Sequence, residues 1–177
     1  MRETFSHNGK LDLACGDNKR PGFTGIDKYK TASTDVEFDL LEFPWPIASD
    51  SVDEINCANF FEHVPAKQRT AFMEEMHRVM KLGAKALFIT PTHDRMLQDP
   101  THEWPPIVQH SYLYWSQDWL KANKLMHGPY VTTANFGLTV QYHLDADILK
   151  DESINKDFAI YHYNNATTDL IATLIKT

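Results

Sequence analysis

The sequence predicts an α/β fold in which a mostly parallel sheet has helices on both faces and closes with an antiparallel pair of C-terminal strands. Short apolar strands alternate with loops in the N-terminal half, and one long amphipathic helix follows them at residues 65–81. Residues 86–89, Ala-Leu-Phe-Ile, form a continuous apolar run of the kind that a buried parallel strand carries. Two further strand patterns, at 138–144 and 170–176, are close enough in sequence to pair with each other.

The N-terminal strands are expected at 10–13, 23–26, 36–39 and 52–56. The helix is bounded by Pro65, which suits a first helical position, and by Gly83, which suits a stop. Its apolar residues recur at helical spacing and should face the sheet: Phe72, Met76, Val79 and Met80. A second helix is expected at 116–124, and the long polar connection at 151–165 is expected to be a mobile loop.

Length, charge and cysteine content bound the class of protein. A chain of 177 residues has the size of one domain, so we expect residues 1–177 to form a single domain. The net charge is −7 with no basic run, which disfavours nucleic acid as a partner. The two cysteines, Cys15 and Cys57, indicate a reducing compartment rather than a disulfide framework. Residues 1–9 are polar and no long apolar run appears, so we expect a cytoplasmic protein without a membrane segment.

The most informative feature is the turn after the first strand. The small residues Ala14-Cys15-Gly16 follow that strand, and the next strand ends on Asp27. This layout suits a nucleoside, since the turn admits ligand close to the backbone and the acid can bond ribose hydroxyls. Only residues 17–22 separate the turn from the next strand, which leaves no room for the helix whose N-terminus normally holds a pyrophosphate. S-adenosylmethionine (SAM) fits, because it has an adenosine, no phosphate, and cationic ends that suit Asp12 and Asp17.

The pattern resembles the class I SAM-dependent methyltransferases, and most closely a small subgroup of type 11 whose first helix is reduced to a turn, here Pro21-Gly22-Phe23. The resemblance runs in order over roughly residues 10 to 120 and continues through Asp39-Leu40, Phe61-Glu62-His63-Val64, Arg78-Val79-Met80-Lys81-Leu82-Gly83 and Asp99-Pro100-Thr101-His102. Ala14 departs from it, standing where the first glycine of the motif is usual. The resemblance implies a Rossmann-like fold, SAM as cofactor and S-adenosylhomocysteine as product.

The candidate cofactor-binding residues follow the strand ends. Asp12 is expected to orient the turn and face the ammonium side of SAM, or else only to cap the amides of the turn. Asp27 is expected to accept hydrogen bonds from the ribose hydroxyls, the alternative being a solvated aspartate paired with Lys28. The resemblance implies adenine contacts from Asp39 and Leu40. The full predicted set is Asp12, Ala14, Cys15, Gly16, Asp27, Lys28, Asp39, Leu40, Ala58 and Asn59.

The candidate catalytic residues are His63, Glu62 and His102. His63 is the expected general base, although it could instead only fix the turn, since methyl transfer often needs no more than positioning and desolvation. His102 could orient the acceptor. The aromatic residues that follow could wall the acceptor site or pack in the core: Trp104, Tyr112, Tyr114 and Trp115. A metal site from His93, Asp94, Asp99 and His102 matches no strong ligand motif, so none is predicted.

The function these residues favour is transfer of a methyl group from SAM to a small-molecule acceptor by in-line displacement. The alternative is a SAM-binding or vestigial methyltransferase-like module that acts through a protein partner. A nicotinamide-dependent oxidoreductase is disfavoured by the short spacing between turn and acid. So compact a chain is compatible with a homo-oligomer or a partner subunit as well as with a small acceptor.

Overall fold

A computed structural model of the chain describes residues 4–128 and 131–177, so that Met1–Glu3 at the start of the polar N-terminal stretch lie outside it. The strands are β1 Lys10–Leu13, β2 Thr24–Asp27, β3 Val36–Glu37, β4 Val52–Ala58, β5 Met80–Pro91, β6 Phe136–Leu144 and β7 Thr167–Lys176. The α-helices are α1 Ala66–Val79, α2 His93–Gln98, α3 Gln109–Leu113, α4 Gln117–Ala122, α5 Ala146–Lys150 and α6 Lys156–His162, and a 3₁₀ turn spans Phe61–His63.

The sheet has seven strands in the order β3-β2-β1-β4-β5-β7-β6. The pairs β2–β3, β1–β2, β1–β4 and β4–β5 are parallel. Strand β7 runs antiparallel to both β5 and β6. The predicted fold class, a mostly parallel Rossmann-like sheet that ends in an antiparallel strand pair, is therefore confirmed.

The connection from β1 to β2 forms turns and irregular structure over residues 14–23, as its length predicts. Strand β2 begins and ends one residue later than expected and so includes Asp27, while β3 is shortened to Val36–Glu37. Strand β4 extends to Ala58, two residues beyond its predicted end. The last two strands begin earlier than predicted because they pair with each other along almost their whole length.

The predicted end of the long helix, with Gly83 as its stop signal, was wrong. Helix α1 ends at Val79, and β5 begins directly at Met80, where it already pairs with Val52 of β4. Gly83 lies inside β5 with φ +79. Pairing of the strand at its buried first residue, Met80, outweighs the local stop signal of the glycine.

The polar connection at 151–165 is not a loop throughout, because α6 occupies Lys156–His162. The side chain of Asn155 caps this helix by accepting a hydrogen bond from the amide of Phe158 at 2.9 Å. Only Ala159 of the helix is buried. A helix with so small an apolar face gives little periodic signal in the sequence.

The two faces of the sheet differ in burial. On one face Leu11, Ile55 and Phe88 are fully buried against the side of the molecule that carries α1. On the other face Asn56, Leu87 and Ile89 remain only half-buried. Right-handed crossovers from β4 to β5 and from β1 to β2 run in opposite directions along the sheet and so lie on opposite faces. The shortened β1–β2 connection is the crossover that would have covered the half-buried face.

Within residues 4–128 and 131–177, none of the helices combines the length and the apolar character that crossing a membrane requires.

Candidate functional site

Strands β1, β2, β4 and β5 are parallel, so their carboxyl ends meet at one edge of the sheet, where ligands of open α/β folds bind. Two cavities lie at this edge. The first, here called the β2 cavity, has a volume of about 510 Å³ and is lined by residues that include Ala14, Asp27, Lys28, Asp39, Leu40 and Phe60. The second, here called the β5 cavity, has a volume of about 880 Å³ and is lined by residues that include Asn59, Glu62, Asp99, His102 and Asp169. His63 belongs to both walls.

Asp27 ends β2 in the wall of the β2 cavity and is only 9% exposed. One carboxylate oxygen accepts a hydrogen bond from the amide of Gly16 at 2.9 Å, and the other accepts one from the amide of Tyr29 at 2.9 Å. These two bonds fix the carboxylate across the turn. Because each carboxylate oxygen can accept a second hydrogen bond, Asp27 retains the capacity to bind a pair of hydroxyl groups.

Asp39 and Lys28 form an ion pair of 3.0 Å in the wall of the same cavity. The amide of Leu41 donates a second hydrogen bond to the Asp39 carboxylate at 3.0 Å. Burial by itself would raise the pKa of Asp39, but the Leu41 amide and the Lys28 ammonium outweigh it and leave the pKa lowered. Asp39 is therefore held as an anion, able to accept a hydrogen bond from a ligand amine.

Ala14 and Gly16 both hold left-handed backbone conformations, with φ +53 and φ +50. Glycine adopts this region without penalty, whereas the Cβ of an alanine makes it costly. Ala14 also lies in the wall of the β2 cavity. Ala14, in place of the expected glycine, therefore brings both a strained backbone and an additional methyl group into this wall.

Asp12 supports the turn from beneath. Its carboxylate accepts one hydrogen bond from the amide of Arg20 at 2.6 Å and one from the side-chain amide of Asn56 at 2.6 Å. It is buried, and it is not among the described residues that line either cavity. This geometry is that of a carboxylate that orients the turn, which both predicted roles of Asp12 share, and direct contact with a ligand stays a prediction.

Cys15, Gly16 and Ala58 likewise lie outside the described walls of the β2 cavity. The amide of Cys15 donates to the carbonyl of Ile26 at 3.2 Å, so it is used in holding β1 to β2. Burial raises the pKa of the Cys15 thiol, which disfavours its thiolate. Cys15 and Gly16 shape the turn. Together with Ala58, at the end of β4, they can offer a ligand only backbone atoms.

The three candidate catalytic residues meet in the β5 cavity. The rings of His63 and His102 are in edge contact, with centroids 4.8 Å apart. Nδ1 of His63 lies 3.2 Å from the carbonyl oxygen of Thr101, and Nδ1 of His102 lies 3.0 Å from the carbonyl oxygen of Met96. A carbonyl only accepts hydrogen bonds, so both Nδ1 atoms carry the proton and both Nε2 atoms are left as acceptors.

Glu62 is the buried acid of this group. Its side chain is 1% exposed, and its Oε2 atom has no hydrogen-bond partner among the described residues. Burial raises the pKa of Glu62 to about 7, against a backbone hydrogen bond at Glu62 and the charge of His102, which lower it, and with smaller upward contributions from Asp169 and Asp99. A buried carboxylate oxygen without a partner is unfavourable unless a proton or a cation satisfies it.

Arg69 of α1 positions the segment that carries His102, and the sequence analysis missed it. Its guanidinium donates to the carbonyl oxygens of Val64 at 3.0 Å, Pro105 at 2.6 Å and Glu103 at 2.9 Å. The side chain is buried on the face of α1 that also carries Phe72. An arginine on the apolar face of a helix was the signal available, because such a charge is rarely buried without partners.

The aromatic residues after β5 do not wall the β5 cavity. Tyr112 is fully buried in the core, where its hydroxyl lies 3.3 Å from that of Thr90, and Trp115 packs beside it. Trp104 is 74% exposed. The described wall of the β5 cavity is instead polar and charged. Of the metal-site candidates, the side chains of His93 and Asp94 lie outside the described part of the chain, while Asp99 and His102 both line this cavity.

Comparison with known proteins connects this arrangement to a family. The family model described as a methyltransferase domain, of type 11, matches residues 11–88, which include the turn after β1 and the end of β4. A methyltransferase domain implies SAM as the methyl donor, in agreement with the cofactor expected from the sequence. No curated relative matches the sequence.

Solved structures share the fold over nearly the whole chain. A SAM-dependent methyltransferase from Archaeoglobus fulgidus is 13% identical with a TM-score of 0.66, the match covering 94% of this chain and 85% of that one. The 1,6-didemethyltoxoflavin-N1-methyltransferase of Burkholderia thailandensis, with bound 1,6-didemethyltoxoflavin and S-adenosylhomocysteine, is 11% identical with a TM-score of 0.58 over 95% and 70% of the chains. The N-methyltransferase NodS from Bradyrhizobium japonicum WM9, in complex with S-adenosylhomocysteine, is 11% identical with a TM-score of 0.54 over 97% and 79%.

At these identities the likeness to solved structures shows the fold, and the family model adds the motif region. Residues 11–88 therefore match the methyltransferase-domain family model of type 11, in a chain that has the fold of the SAM-dependent methyltransferases.

Proposed function

We propose that this chain is an enzyme that transfers the methyl group of SAM to a small-molecule acceptor, with SAM in the β2 cavity and the acceptor in the β5 cavity. The observation that carries the proposal is the position of His63, which lies in the walls of both cavities. A donor and an acceptor bound on its two sides are thereby brought to one point, and such positioning is the main requirement of a displacement at carbon.

On the donor side, Asp27 is assigned to the ribose hydroxyls and Asp39, with Leu40, to the adenine. Both carboxylates line the β2 cavity, and both are fixed by backbone amides before any ligand arrives. The backbone at Ala58 and Asn59, where β4 ends, is assigned to the region of the transferred methyl. Asp12 acts indirectly, by holding the turn in place.

On the acceptor side, the β5 cavity has the volume of a site for a small molecule. Its wall includes Arg95 and the carboxylates of Asp99, Asp145 and Asp169, so a polar acceptor fits it better than an apolar one. The acceptor presents an oxygen, nitrogen or carbon nucleophile to the methyl group. The new bond to the methyl carbon forms as the carbon–sulfur bond breaks, and the electron pair stays on sulfur as S-adenosylhomocysteine leaves.

His63 is the proposed general base. Its Nε2 is the acceptor nitrogen, because Nδ1 is bonded to the carbonyl of Thr101. The proton released by the nucleophile passes to that nitrogen. His102 and Glu62 line the same cavity and are assigned to orienting the acceptor.

Calorimetric titration with SAM, S-adenosylhomocysteine and NADH tests the donor site. We expect both sulfur nucleosides to bind and NADH not to bind. Asp27→Asn should weaken SAM binding by roughly tenfold to a hundredfold, the range for a lost charged hydrogen bond or two. Asp157→Asn, in the exposed first turn of α6, is the matched control and should leave the affinity unchanged. NADH binding tighter than SAM binding would overturn the assignment.

Turnover separates the enzyme from the alternative reading, a SAM-binding module that acts through a partner. Transfer of a labelled methyl group to any member of a panel of polar small molecules supports the enzyme. SAM binding without transfer to any of them, together with a stable protein complex, supports the module. A partner subunit, a homo-oligomer, the single-domain organisation and the cytoplasmic location stay predictions.

A further inference from the structure

Three metal-ligating side chains converge in the β5 cavity. One ligand atom each from Glu62, His63 and His102 lies within 4.8 Å of the others. In a compact three-ligand site, bond lengths of about 2.1 Å put ligand atoms about 3.4 Å apart, so closure onto an ion needs side-chain shifts of only about an ångström. Glu62 and His63 are neighbours in the 3₁₀ turn after β4, and His102 comes from the segment that Arg69 anchors.

Both imidazoles make the second hydrogen bond that metal-ligating histidines usually make. A ligating histidine commonly donates its other ring N–H to a backbone carbonyl or a carboxylate, which fixes the tautomer. His63 and His102 both do so through Nδ1, to the carbonyls of Thr101 and Met96. Asp99 approaches Nε2 of His102 only to 3.8 Å, beyond hydrogen-bond distance, so that nitrogen remains available.

Glu62 provides a second and independent sign of a missing partner. Its carboxylate is almost entirely buried, lines the β5 cavity, and has an Oε2 atom without a partner among the described residues. An oxygen in that position costs free energy that a bound cation would remove.

We propose that Glu62, His63 and His102 bind one divalent transition-metal cation, with Zn²⁺ as its reference ion. Two imidazoles and a carboxylate select such ions, whereas Mg²⁺ and Ca²⁺ prefer sites made entirely of oxygen. Three protein ligands leave at least one coordination position open toward the cavity, as in catalytic rather than structural zinc sites.

The purpose of the ion rests on the proposed function, although its binding does not. In the open position the ion holds the oxygen of an acceptor hydroxyl and lowers its pKa. The hydroxyl then gives its proton to water in the cavity, and its oxygen attacks the methyl carbon as the carbon–sulfur electron pair returns to sulfur. His63 becomes a ligand in this form, and the ion takes over the work of the base. The acceptor class is accordingly narrowed to hydroxyl compounds.

Titration of tag-free, chelator-treated full-length protein with Zn²⁺ tests the site, and Co²⁺ absorption spectra report the ligand set. We expect one ion per chain and an affinity at least about tenfold weaker in His102→Gln and in Glu62→Gln. His110→Gln, at an exposed position of α3, is the control and should bind as the wild type does. Thermal unfolding of each variant identifies any that fails to fold, and the second variant then decides.

SAM titration of the same samples keeps the two proposals apart, because Glu62 and His102 are not among the described residues of the β2 cavity. Zinc binding that both folded variants retain in full overturns the metal site, whatever SAM does. Loss of zinc binding with intact SAM binding supports it. If zinc binds through these residues but SAM does not bind the wild type, the metal site stands and the donor assignment fails.

Discussion

Ala14 combines a left-handed backbone, φ +53, with a position in the wall of the β2 cavity. For an L-residue that conformation costs about 1 kcal/mol, and Ala14→Gly removes the cost while adding a similar entropic penalty through the unfolded chain. We expect the free energy of unfolding to change by less than about 1 kcal/mol and SAM to bind more tightly.

Urea unfolding and calorimetry measure the two effects of Ala14→Gly separately. Lys124→Gly is the matched control, since Lys124 holds φ +60 in an exposed turn far along the chain. It should alter stability in the same small range and leave SAM affinity unchanged. Unaltered SAM affinity in Ala14→Gly would mean that the methyl group does not restrict the cavity.

Gly25 of β2 is required for close packing of the turn. A Cβ there would lie 2.8 Å from Sγ of Cys15 and 2.8 Å from the carbonyl oxygen of Ser33. We expect Gly25→Ala to lower the free energy of unfolding by about 1 to 3 kcal/mol, the usual cost of overpacking. Chemical denaturation measures this.

Gly137→Ala is the control for Gly25→Ala, because a Cβ at Gly137 meets ordinary contacts no closer than 3.6 Å. It should be neutral or slightly stabilising. Equal stabilities of the two variants would show that the turn adjusts to the added methyl.

At the residue scale, the sequence predicted the carboxylates better than it predicted their tasks. Asp27 and Asp39 were expected from strand ends, and both line the β2 cavity. Asp12 was expected to orient the turn and to face the ammonium side of SAM; its carboxylate does bond to the turn through the amide of Arg20, but it is not among the described residues of either cavity wall. A strand pattern locates a side chain along the chain, but which hydrogen-bond donors reach it depends on loops that the pattern does not describe.

Helix α1 anchors the segment that carries His102 through Arg69. Arg69→Met leaves three carbonyl acceptors without a donor, so we expect a loss of about 2 to 4 kcal/mol in the free energy of unfolding. Amide exchange should rise over residues 101–107, and methyl transfer should fall more than SAM affinity.

Hydrogen exchange by mass spectrometry and single-turnover kinetics check this expectation for Arg69→Met. Lys67→Met, at an exposed position of the same helix, is the control and should change neither exchange nor rate. Unaltered exchange in Arg69→Met would show that the segment is held by other contacts.

The C-terminal part of α1 predicts a dependence of stability on pH. Nε2 of His77 has no partner among the described residues, and its ring packs against Phe136 at 5.2 Å. Burial, aided by the charge of Lys176, lowers the pKa of His77 below its usual value of about 6.5. The unfolded chain therefore binds this proton more readily than the folded one, so acidification through and below pH 6.5 lowers the free energy of unfolding.

Urea unfolding between pH 7.5 and 5 measures this dependence. His77→Gln cannot take up the proton and should flatten part of the acid-side decrease, whereas exposed His110→Gln should leave the curve of the wild type unaltered. Parallel curves for the wild type and His77→Gln would assign the decrease to other groups.

At the element scale, predictions held where periodicity was strong and were wrong where tertiary contacts decided. The strand run at 86–89 and the helix after Pro65 were found because burial imposes a pattern on them. The predicted end of the helix was wrong because β5 starts at Met80. Met80 pairs with Val52, which is distant in sequence. Helix α6 was missed because one buried residue, Ala159, leaves no period to detect.

At the scale of the whole molecule, the order of the motifs was enough to predict the fold. It was not enough to predict how close the site residues lie to one another. The strand patterns predicted the sheet, and the turn after β1 together with Asp27 indicated the part of its edge where the β2 cavity lies. The meeting of Glu62 and His63 with His102 depends on how the segment after β5 folds back. Neither periodicity nor motif spacing describes that path, so the sequence could name the three residues as candidates but could not predict that their ligand atoms lie within 4.8 Å of one another.

The two cavities share His63 and are each open to solvent, which bears on the order in which ligands bind. Neither site has to fill before the other can be reached, so donor and acceptor should add in random order. Once an acceptor is known, double-reciprocal plots should intersect, and a non-reactive analogue of the acceptor should be noncompetitive against SAM. Uncompetitive inhibition by that analogue against SAM would indicate that SAM has to bind first. A random order of binding would let the rate of methyl transfer respond to the concentration of either ligand, whichever is the scarcer.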